Sequence, residues 1–316
     1  MQGDAVEVAR RLADEVLRPD AEAVDAADRV PRSHLEALDA AGLTGHSVSG
    51  AGLAERVDVT AALAGGCLAT AFVWIQHQGA LAAVARSAGP AARFAPALES
   101  GAVRAGVVVT AVRGPSPLRI DADRRLTGSA PWVTGWGVVD VLRVAAVDDS
   151  GDIRTVLVDV GPGMTAEPAR LVAANASGTV TLTFEGVAVP ADRDLDVVTA
   201  DDWAAADAAG LALNGALPLG LAAEAARLIG SSSLGADVAA ARDALLRAPV
   251  EELPAARAAC AALALRAASA LAVHDGGRGV LAGSRSDRLL REAHFLLAFG
   301  SRPAIKASLL SRLAPS

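Results

Sequence analysis

The sequence predicts an α+β protein in three parts: a helical N-terminal domain (1–103), a middle domain built on a β-sheet or barrel (104–197) and a C-terminal helical bundle (198–316). The outer parts are predicted to be helical because alanine and leucine recur there at helical spacing. In the middle part the pattern changes to short runs of valine, threonine and leucine bounded by glycine, proline and aspartate. The predicted strands are Gly106–Thr110, Val138–Val147, Ile153–Val160 and Thr179–Phe184.

Composition and charge narrow the classes of function. With 316 residues, 52% of them hydrophobic, the chain is long enough to bury a sizeable core. The formal net charge of −7 argues against nucleic acid as a partner, because binding to phosphates requires a basic surface. Cys67 and Cys260 have no paired spacing. We therefore expect no disulfide and no metal site, and a cytoplasmic location.

One stretch is long and apolar enough to be compared with a membrane span. Val59–Ala85 contains no charged residue and could cross a bilayer by its length. Gly65-Gly66 and Gln76-His77-Gln78 interrupt it, which favours buried helices instead. The segment Met1–Leu17 is amphipathic and acidic, unlike a signal peptide. We expect no membrane span.

The N-terminal part begins with a predicted helix over Val6–Leu17, which we expect Pro19 to end. Pro31-Arg32-Ser33 opens a second helix, and Gly42 stops it. Further helices are predicted at Val57–Ala64, Leu68–Val84 and Ala91–Leu98.

The C-terminal part is predicted to hold the helices Asp201–Leu228, Ala236–Leu246, Ala255–Val273 and Ser286–Leu313, the last interrupted near Gly300–Pro303. The first of these contains four residues that weaken helices: Gly210, Gly215, Pro218 and Gly220. Because such residues are costly inside a helix, we expect close helix packing or a kink there.

The middle part contains the stretch best suited to chemistry, Gly128-Ser129-Ala130-Pro131-Trp132-Val133-Thr134-Gly135-Trp136. A tryptophan and a hydroxyl on one turn can support and polarise a flat aromatic cofactor. Taken alone, a tryptophan and a threonine in a β domain are more often core and ladder residues. Ordinary packing is therefore the alternative to a cofactor site.

These landmarks, in this order, resemble the acyl-CoA dehydrogenase family of flavoproteins. Leu38-Asp39-Ala40-Ala41-Gly42-Leu43 is similar to the family's opening segment, and Thr127–Thr134 is similar to its flavin-contact turn. Phe184–Pro190 resembles the strand that closes the family's middle domain. Gly276–Gly279, followed by Arg291-Glu292-Ala293, falls at the family's spacings. The resemblance covers nearly the whole chain.

The resemblance implies FAD as the cofactor and α,β-oxidation of an acyl thioester such as an acyl-CoA. In that reaction a carboxylate removes the α-proton and a hydride passes to the flavin. Trp132 would lie against the flavin ring, Val133 would accompany it in the turn, and Thr134 would hydrogen-bond near N5. Thr110 occupies the place of the threonine that contacts the pyrimidine end.

The resemblance also implies assembly. The family forms homodimers and homotetramers, and an electron-transfer flavoprotein is a candidate partner. Gly276 and Gly277 would approach the neighbouring subunit's cofactor. We expect the apolar faces of Leu211–Leu228 and Ala255–Val273 to form the interface.

The sequence departs from the family pattern at the catalytic base. Counting from Arg291 places Gly300 where the family has its glutamate. The alternative position of the base, near Gly210, also lacks a carboxylate, so the catalytic residue is unknown. Asp207 and His294 are the weak candidates that remain.

The cofactor contacts depart from the pattern as well. Ser231 stands where the family has an arginine that reaches the FAD phosphates. Arg113, Arg278 and Arg302 are candidate substitutes, since a guanidinium suits a diphosphate, although surface arginines are common. His77 lies on a helix that runs toward the family's acyl pocket, and a satisfied interior histidine is its more frequent role.

Three classes of function are therefore open. The first is a FAD-dependent dehydrogenase of an acyl thioester with a displaced base. The second is a flavin-dependent monooxygenase on the same fold, which needs no base for an α-proton. The third is a non-catalytic subunit that partners an active paralogue. We rank the dehydrogenase first because the Trp132-Val133-Thr134 turn is intact.

Overall fold

The computed structural model describes residues 4–113, 116–300 and 302–314. Helices, then a sheet, then helices follow one another along the chain, as predicted. The N-terminal helices are α1 (Ala5–Leu12), α2 (Arg18–Asp25), α3 (Arg32–Ala40), α4 (Leu53–Gly66), α5 (Leu68–Arg86) and α6 (Ala95–Glu99).

The prediction that Pro19 ends the first helix is wrong. A π-helical turn over Ala13–Leu17 joins α1 to α2, and Pro19 lies in the first turn of α2. Proline is tolerated there because the first turn of a helix leaves its N–H groups without partners in the helix. The wider turn therefore lets the chain remain helical through the proline.

Helices α4 and α5 form a tight hairpin. Only Cys67 separates them, in an extended conformation with φ −154° and ψ 111°. The start of α4 therefore lies beside the end of α5. This geometry brings together residues that are about thirty positions apart in the sequence.

The middle domain is a mixed sheet of eight strands: β1 (Ala105–Val108), β2 (Arg119–Ile120), β3 (Arg125–Val133), β4 (Val141–Val147), β5 (Ile153–Asp159), β6 (Met164–Pro168), β7 (Val180–Ala188) and β8 (Asp194–Val198). The strand order is β6-β7-β3-β2-β4-β5-β8, with β1 pairing parallel to β4. The sequence predicts β1, β4, β5 and β7. The stretch before Trp132, expected as part of a turn, belongs to β3 and pairs antiparallel with β7.

The C-terminal helices are α7 (Ala200–Ala209), α8 (Leu211–Ile229), α9 (Ser232–Arg247), α10 (Leu253–Asp275), α11 (Arg285–Ala298) and α12 (Pro303–Leu313). The single helix predicted over Asp201–Leu228 is thus two helices that meet at Gly210. Pro218 lies inside α8. The predicted interruption near Gly300 is confirmed, since α11 ends before it and α12 begins after it.

The close packing expected around the α8 glycines occurs where α8 crosses α4. A Cβ atom on Gly220 would overlap the carbonyl oxygen of Ala61, and a Cβ on Gly65 would lie 2.9 Å from the Gly220 oxygen. The two backbones are therefore in direct contact. One apolar core joins the N-terminal and C-terminal helices at this crossing, with Leu63 and Leu221 among its buried members.

Three described segments are long and apolar enough to cross a membrane by length and composition: Leu68–Arg86, Ala200–Ile229 and Val250–Val280. The first coincides with α5, and 78% of its most apolar window is buried inside the fold. The apolar character of α5 is thus largely used in packing against other parts of the protein.

Candidate functional site

Trp132 is the most unusual residue of the middle domain. Its backbone is left-handed, with φ +65°, and its side chain is 61% exposed. The pairing of β3 with β7 is irregular between Ala130 and Val133, which turns Trp132 outward while Val133 stays buried. A left-handed conformation costs a bulky residue roughly 1–2 kcal/mol. Strain combined with an exposed ring is typical of a ligand-binding position.

Thr110 stabilises the same corner. Its Oγ1 donates a hydrogen bond of 3.0 Å to the carbonyl oxygen of Pro131, the residue before Trp132. The structure therefore brings together the two predicted cofactor residues Thr110 and Trp132. In this conformation, Thr110 acts on the backbone that carries the tryptophan.

Thr134 points to the interior. Its side chain is 2% exposed, and its Oγ1 lies 3.0 Å from Oγ1 of Thr179. Thr179 in turn lies 2.9 Å from Oγ of Ser177, and the N–H of Gly135 donates to the Ser177 carbonyl oxygen. This chain of hydroxyls holds the corner in place. Among Trp132, Val133 and Thr134, only Trp132 has an exposed side chain that a large ligand could contact.

Gly300 does not lie in a helix. It follows the end of α11 in a left-handed conformation, with φ +62°, in the loop before α12. A Cβ atom built on it has Asn214 Nδ2 of α8 at 4.0 Å. The loop position expected for the base therefore lies beside α8, where Asn214, four residues after Gly210, presents an amide.

Aromatic contacts hold the end of α11 against α5. The ring of Phe299 lies 4.7 Å from that of Phe72 in an edge-on arrangement, and Phe295 lies 5.6 Å from Phe72. Phe72 belongs to α5, so α5 packs directly against Phe299, the residue before Gly300. These contacts fix where the Gly300 loop begins.

Arg257 of α10 is a site residue that sequence reasoning missed. It is fully buried, and its Nη2 donates to the carbonyl oxygens of Leu296, at 2.7 Å, and Phe299, at 2.6 Å. Burial lowers the pKa of the Arg257 guanidinium to about 10. A charged residue within the alanine-rich run of α10 was the only sign of it in the sequence. Arg257 holds the carbonyl groups that precede Gly300.

Asp207, a candidate base, is engaged elsewhere. Its carboxylate forms ion pairs with Arg113 at 2.5 Å and Arg302 at 2.7 Å. Arg302 also donates to the Asp207 backbone oxygen at 3.2 Å. Asp207 therefore ties the loop after β1 to the loop before α12, and two of the arginines considered for phosphate binding pair with it.

The other predicted polar residues lie apart from this corner. His294 is on the exposed side of α11, next to the buried Ala293. His77 is buried: the Ala105 N–H donates to its Nδ1 at 3.0 Å, so its Nε2–H donates to the Leu98 oxygen at 3.0 Å. Burial lowers the pKa of His77 to about 4. His77 is a satisfied interior group that joins α5 to β1.

Gly276 and Gly277 are exposed at the end of α10. Gly276 has φ +58° and ends the helix. Exposed apolar side chains flank the turn: Val273 and Val280 are each 82% exposed, and Leu281 is 60% exposed. This segment is available to a neighbouring molecule.

A cleft of about 440 Å³ opens where α8 meets α9, lined by Arg227, Gly230, Ser231 and Ser232 among others. Oγ of Ser231 accepts the Leu234 N–H at 3.3 Å and caps α9. Helix N-termini attract anions through their free N–H groups. Arg227 projects here although it also pairs with Glu224 at 2.7 Å. Arg227 and the start of α9 make the cleft a candidate site for an anion.

The chain matches known proteins in sequence over one part and in fold over nearly all of its length. Residues 2–98 match the family model described as "Acyl-CoA dehydrogenase, N-terminal domain". A sequence search of curated proteins finds no match.

Solved structures share the whole fold. Butyryl-CoA dehydrogenase from Megasphaera elsdenii has a TM-score of 0.85 at 18% identity, over 98% of this chain and 96% of that one. A glutaryl-CoA dehydrogenase from Mycobacterium smegmatis in complex with FADH2 has a TM-score of 0.82 at 17% identity, over 100% and 95%. Dibenzothiophene monooxygenase from Paenibacillus sp. A11-2 has a TM-score of 0.79 at 17% identity, over 98% and 97%, and is also similar in its FMN-bound form.

Proposed function

We propose that the chain is a member of the acyl-CoA dehydrogenase family and a FAD-dependent oxidoreductase that acts on an acyl thioester. The match of residues 2–98 to the family's N-terminal domain and the similarity of the whole fold support this proposal. A single observation carries this proposal: Trp132 is strained and exposed, and it lies in the segment whose sequence resembles the family's flavin-contact turn. A flat ring stacked on the indole would be stabilised and would remove the exposed aromatic surface from water.

The residues around Trp132 suit a flavin in part. Thr110 fixes the backbone that presents the indole, and a separate cleft between α8 and α9, lined by Arg227 and Ser231 among others, is a candidate site for a diphosphate. The Thr134 hydroxyl, by contrast, is held by Thr179. When bound, the flavin would accept a hydride from the thioester. Trp132 would support the ring, and Thr134 would hold the corner rather than contact N5.

The spectrum of the purified protein tests the cofactor. Bound flavin gives an absorbance band in the visible region, and Trp132→Ala should weaken flavin binding by roughly 1–3 kcal/mol if stacking on nucleobases is a fair guide. Arg227→Ala should lower the affinity for FAD more than for FMN, because FMN lacks the second phosphate. If wild-type protein binds no flavin in the presence of excess FAD, the non-catalytic partner subunit becomes the leading function.

A second function is favoured by the residues at the expected base position, which are Gly300 and the nearby Asn214. A carboxylate within hydrogen-bonding reach contributes roughly 10²–10⁴-fold to proton abstraction, and neither residue supplies one. A flavin-dependent monooxygenase needs no such base. Its signature would be oxygen consumption when a flavin reductase supplies reduced flavin, without bleaching of the flavin by acyl-CoAs under anaerobic conditions.

The Asn214→Asp variant separates the two functions. It places a carboxylate opposite Gly300 with almost no change in shape, whereas a glutamate at Gly300 would be strained by the left-handed backbone. If the protein is a dehydrogenase, flavin reduction by acyl-CoAs should rise toward the rates that a positioned base allows. Asp207→Asn is the control for the other candidate base, and it should leave flavin reduction unchanged. No gain in Asn214→Asp on any acyl-CoA tested would favour the monooxygenase.

A further inference from the structure

A cavity of about 660 Å³ lies on the crossing of α4 and α8, between α1 and α9. Helix α1 packs on α4 and helix α9 packs on α8, so these two outer helices form the walls of the cavity. The described residues that line it lie in α1, the π-helical turn, the start of α2, α4, α8 and α9. Because none of them belongs to the middle domain, the cavity is separate from the Trp132 corner.

The floor of the cavity consists of small side chains. Ala61, Ala62 and Gly65 of α4 line it together with Gly220 and Ala223 of α8. The floor is small because the two helix backbones touch there, which leaves no room for larger side chains at the crossing. Glycine lets a ligand approach the backbone closely, so this floor suits a flat apolar group.

The wall formed by α9 is poorly covered by the rest of the chain. Among the 16 residues of α9, only Leu245 is buried. Gly235, Val238 and Ala239 line the cavity, and Gly235 and Ala239 are exposed. A Cβ atom on Gly235 would meet nothing within 4 Å. The side of α9 that lines the cavity therefore has room for a ligand.

The opposite wall contains the π-helical turn, of which Ala13 and Asp14 line the cavity. A Cβ atom on Gly66 of α4 would lie 2.9 Å from Leu17 Cβ and 3.0 Å from Ala13 Cβ, so the turn packs closely against α4. Turns of this kind are rare and are frequently found at functional sites. The π-helical turn is thus an independent sign that this wall belongs to a functional site.

One buried carboxylate holds two of the guanidinium groups in the walls. Arg18 and Arg227 both donate to Glu224, with N–O distances of 3.0 Å and 2.7 Å, and the Glu224 side chain is 1% exposed. The Arg227 side chain, by contrast, is 51% exposed. The acid is therefore enclosed while its arginines keep some exposed surface, which favours a negatively charged ligand.

Arg10 of α1 is the least compensated charge of the lining. It is exposed, and no carboxylate among the described residues lies within 4.0 Å of its guanidinium. Arg242, in comparison, is paired with Asp58 at 2.5 Å. In all, four arginines and three acids line the cavity, in a protein whose net charge is −7. Because Glu224 is enclosed, the accessible charge of the cavity is positive.

We propose that this cavity binds a planar aromatic ring that carries a phosphate or a carboxylate group. The ring would lie on the glycine and alanine floor, and the anion would pair with Arg10. Arginine binds both kinds of anion through the same forked N–H donors. A volume of several hundred Å³ with an apolar floor and a few polar groups is typical of small-molecule sites.

This ligand site goes beyond the proposed function. The neighbouring cleft between α8 and α9 shares Arg227 with the cavity, whereas Arg10 and Ala239 do not line that cleft. Variants at Arg10 and Ala239 therefore test the cavity without changing the candidate diphosphate site.

The test is calorimetric titration of the purified full chain with adenosine monophosphate and with naphthoate, at constant ionic strength. At least one of these probes should bind. Arg10→Gln should weaken its binding about tenfold or more, because a charged hydrogen bond is lost. Ala239→Leu, which fills the cavity from α9, should weaken binding as much.

The chain offers a matched control for each variant. Arg11→Gln and Ala240→Leu make the same changes at the next residue, which is also exposed but does not line the cavity. Both controls should bind the probes like wild type. Circular dichroism confirms that all four variants are folded.

The outcomes separate the sources of the anion and decide the proposal. Binding of adenosine monophosphate alone identifies a phosphate-bearing ligand, and binding of naphthoate alone identifies a carboxylate. The proposal is overturned if neither probe binds, if neutral adenosine or naphthol binds as tightly as its anion, or if Ala239→Leu binds like Ala240→Leu. Flavin is read from the visible spectrum of the same samples, so failure of the flavin assignment does not affect the result.

Discussion

Trp132 combines two properties that proteins usually avoid. Its backbone is left-handed and its large ring is in water, and each property costs free energy in the absence of a ligand. A residue of this kind persists where its function requires that orientation. Mutation should therefore separate the effect of the backbone strain on stability from the effect of the exposed ring on flavin binding.

We predict that Trp132→Gly raises the free energy of unfolding by about 1 kcal/mol, because glycine adopts positive φ without strain. The same variant should lose flavin affinity. Trp132→Ala is the matched control: it also loses the ring but keeps the strain, so it should lose flavin affinity without gaining stability. Urea unfolding and flavin titration measure the two effects. Equal stability of the two variants would contradict a strained corner.

We predict a pH-dependent contribution from His77. Its folded pKa of about 4 lies below the usual value of 6.5, so between these values the unfolded chain binds a proton that the folded chain does not. The stability that neutral His77 provides is present above pH 6.5 and is lost as the pH falls toward 4. At about 1.4 kcal/mol per pKa unit, the loss is roughly 3 kcal/mol.

The comparison for His77 is the variant His77→Gln, followed by urea unfolding at several pH values. Its deficit in stability relative to wild type should shrink as the pH falls. His274→Gln, at an exposed histidine, is the control and should parallel wild type. Parallel profiles for His77→Gln and wild type would contradict the prediction.

The sequence identified Trp132 and Gly300 as candidate site positions, but it did not predict the directions of the side chains around them. Alternation along a strand predicts which side chains share a face, and the irregular pairing between Ala130 and Val133 breaks that alternation. The family resemblance, rather than strand alternation, assigned Thr134 to the flavin, and in the structure its hydroxyl lies 3.0 Å from that of Thr179. Arg257 was missed because its role depends on carbonyl groups of a helix forty residues away.

The crossing of α4 and α8 is the contact that fixes the N-terminal helices on the C-terminal ones. We predict that Gly220→Ala lowers the free energy of unfolding by about 2–3 kcal/mol, because a methyl group would overlap the Ala61 carbonyl oxygen and push the helices apart. Gly79→Ala in α5 is the control. Nothing lies within 4 Å of its Cβ, so better helix propensity should raise stability by about 0.5–1 kcal/mol.

Chemical denaturation of both glycine variants measures the difference. If Gly220→Ala is as stable as Gly79→Ala, the two backbones are not in contact.

Helices and strands with a strong periodic pattern of apolar residues were predicted from the sequence. Elements that depend on packing against other parts of the fold were not. The long apolar helices and the strands β4, β5 and β7 follow from the pattern of valine, leucine and alanine. Strands β2, β6 and β8 are short or largely exposed, so they carry little apolar signal. The π-helical turn before Pro19 depends on packing, which local sequence does not encode.

Apolar residues are exposed on the surface around the Gly276 turn, where a partner subunit is expected. Most of α8 is buried within the chain itself, which leaves little of its apolar face for the interface expected at Leu211–Leu228 and Ala255–Val273. Three of the exposed apolar residues, Val273, Val280 and Leu281, instead surround the Gly276 turn. This surface is the candidate for contact between subunits.

We predict that wild-type protein scatters light as a dimer or tetramer of the 31.7 kDa chain, and that Val280→Asp shifts it toward the monomer. A charge placed in a buried apolar interface is costly. Val197→Asp, at a half-exposed valine of β8, is the control and should leave the mass unchanged. A wild-type mass of one chain at micromolar concentration would contradict the prediction.

The alkylation rates of the two cysteines report local opening of the cores that bury them. Cys67 is buried in the large core shared by the N-terminal and C-terminal helices, and Cys260 is buried in a second core, which the C-terminal helices form together with Val57 of α4. Burial raises the pKa of both thiols, that of Cys260 to about 12, so each resists alkylation while its core is closed. Labelling rates of the single-cysteine variants therefore report local opening of each core separately. Equal rates would mean that the helices at both ends of the chain unfold as one cooperative unit.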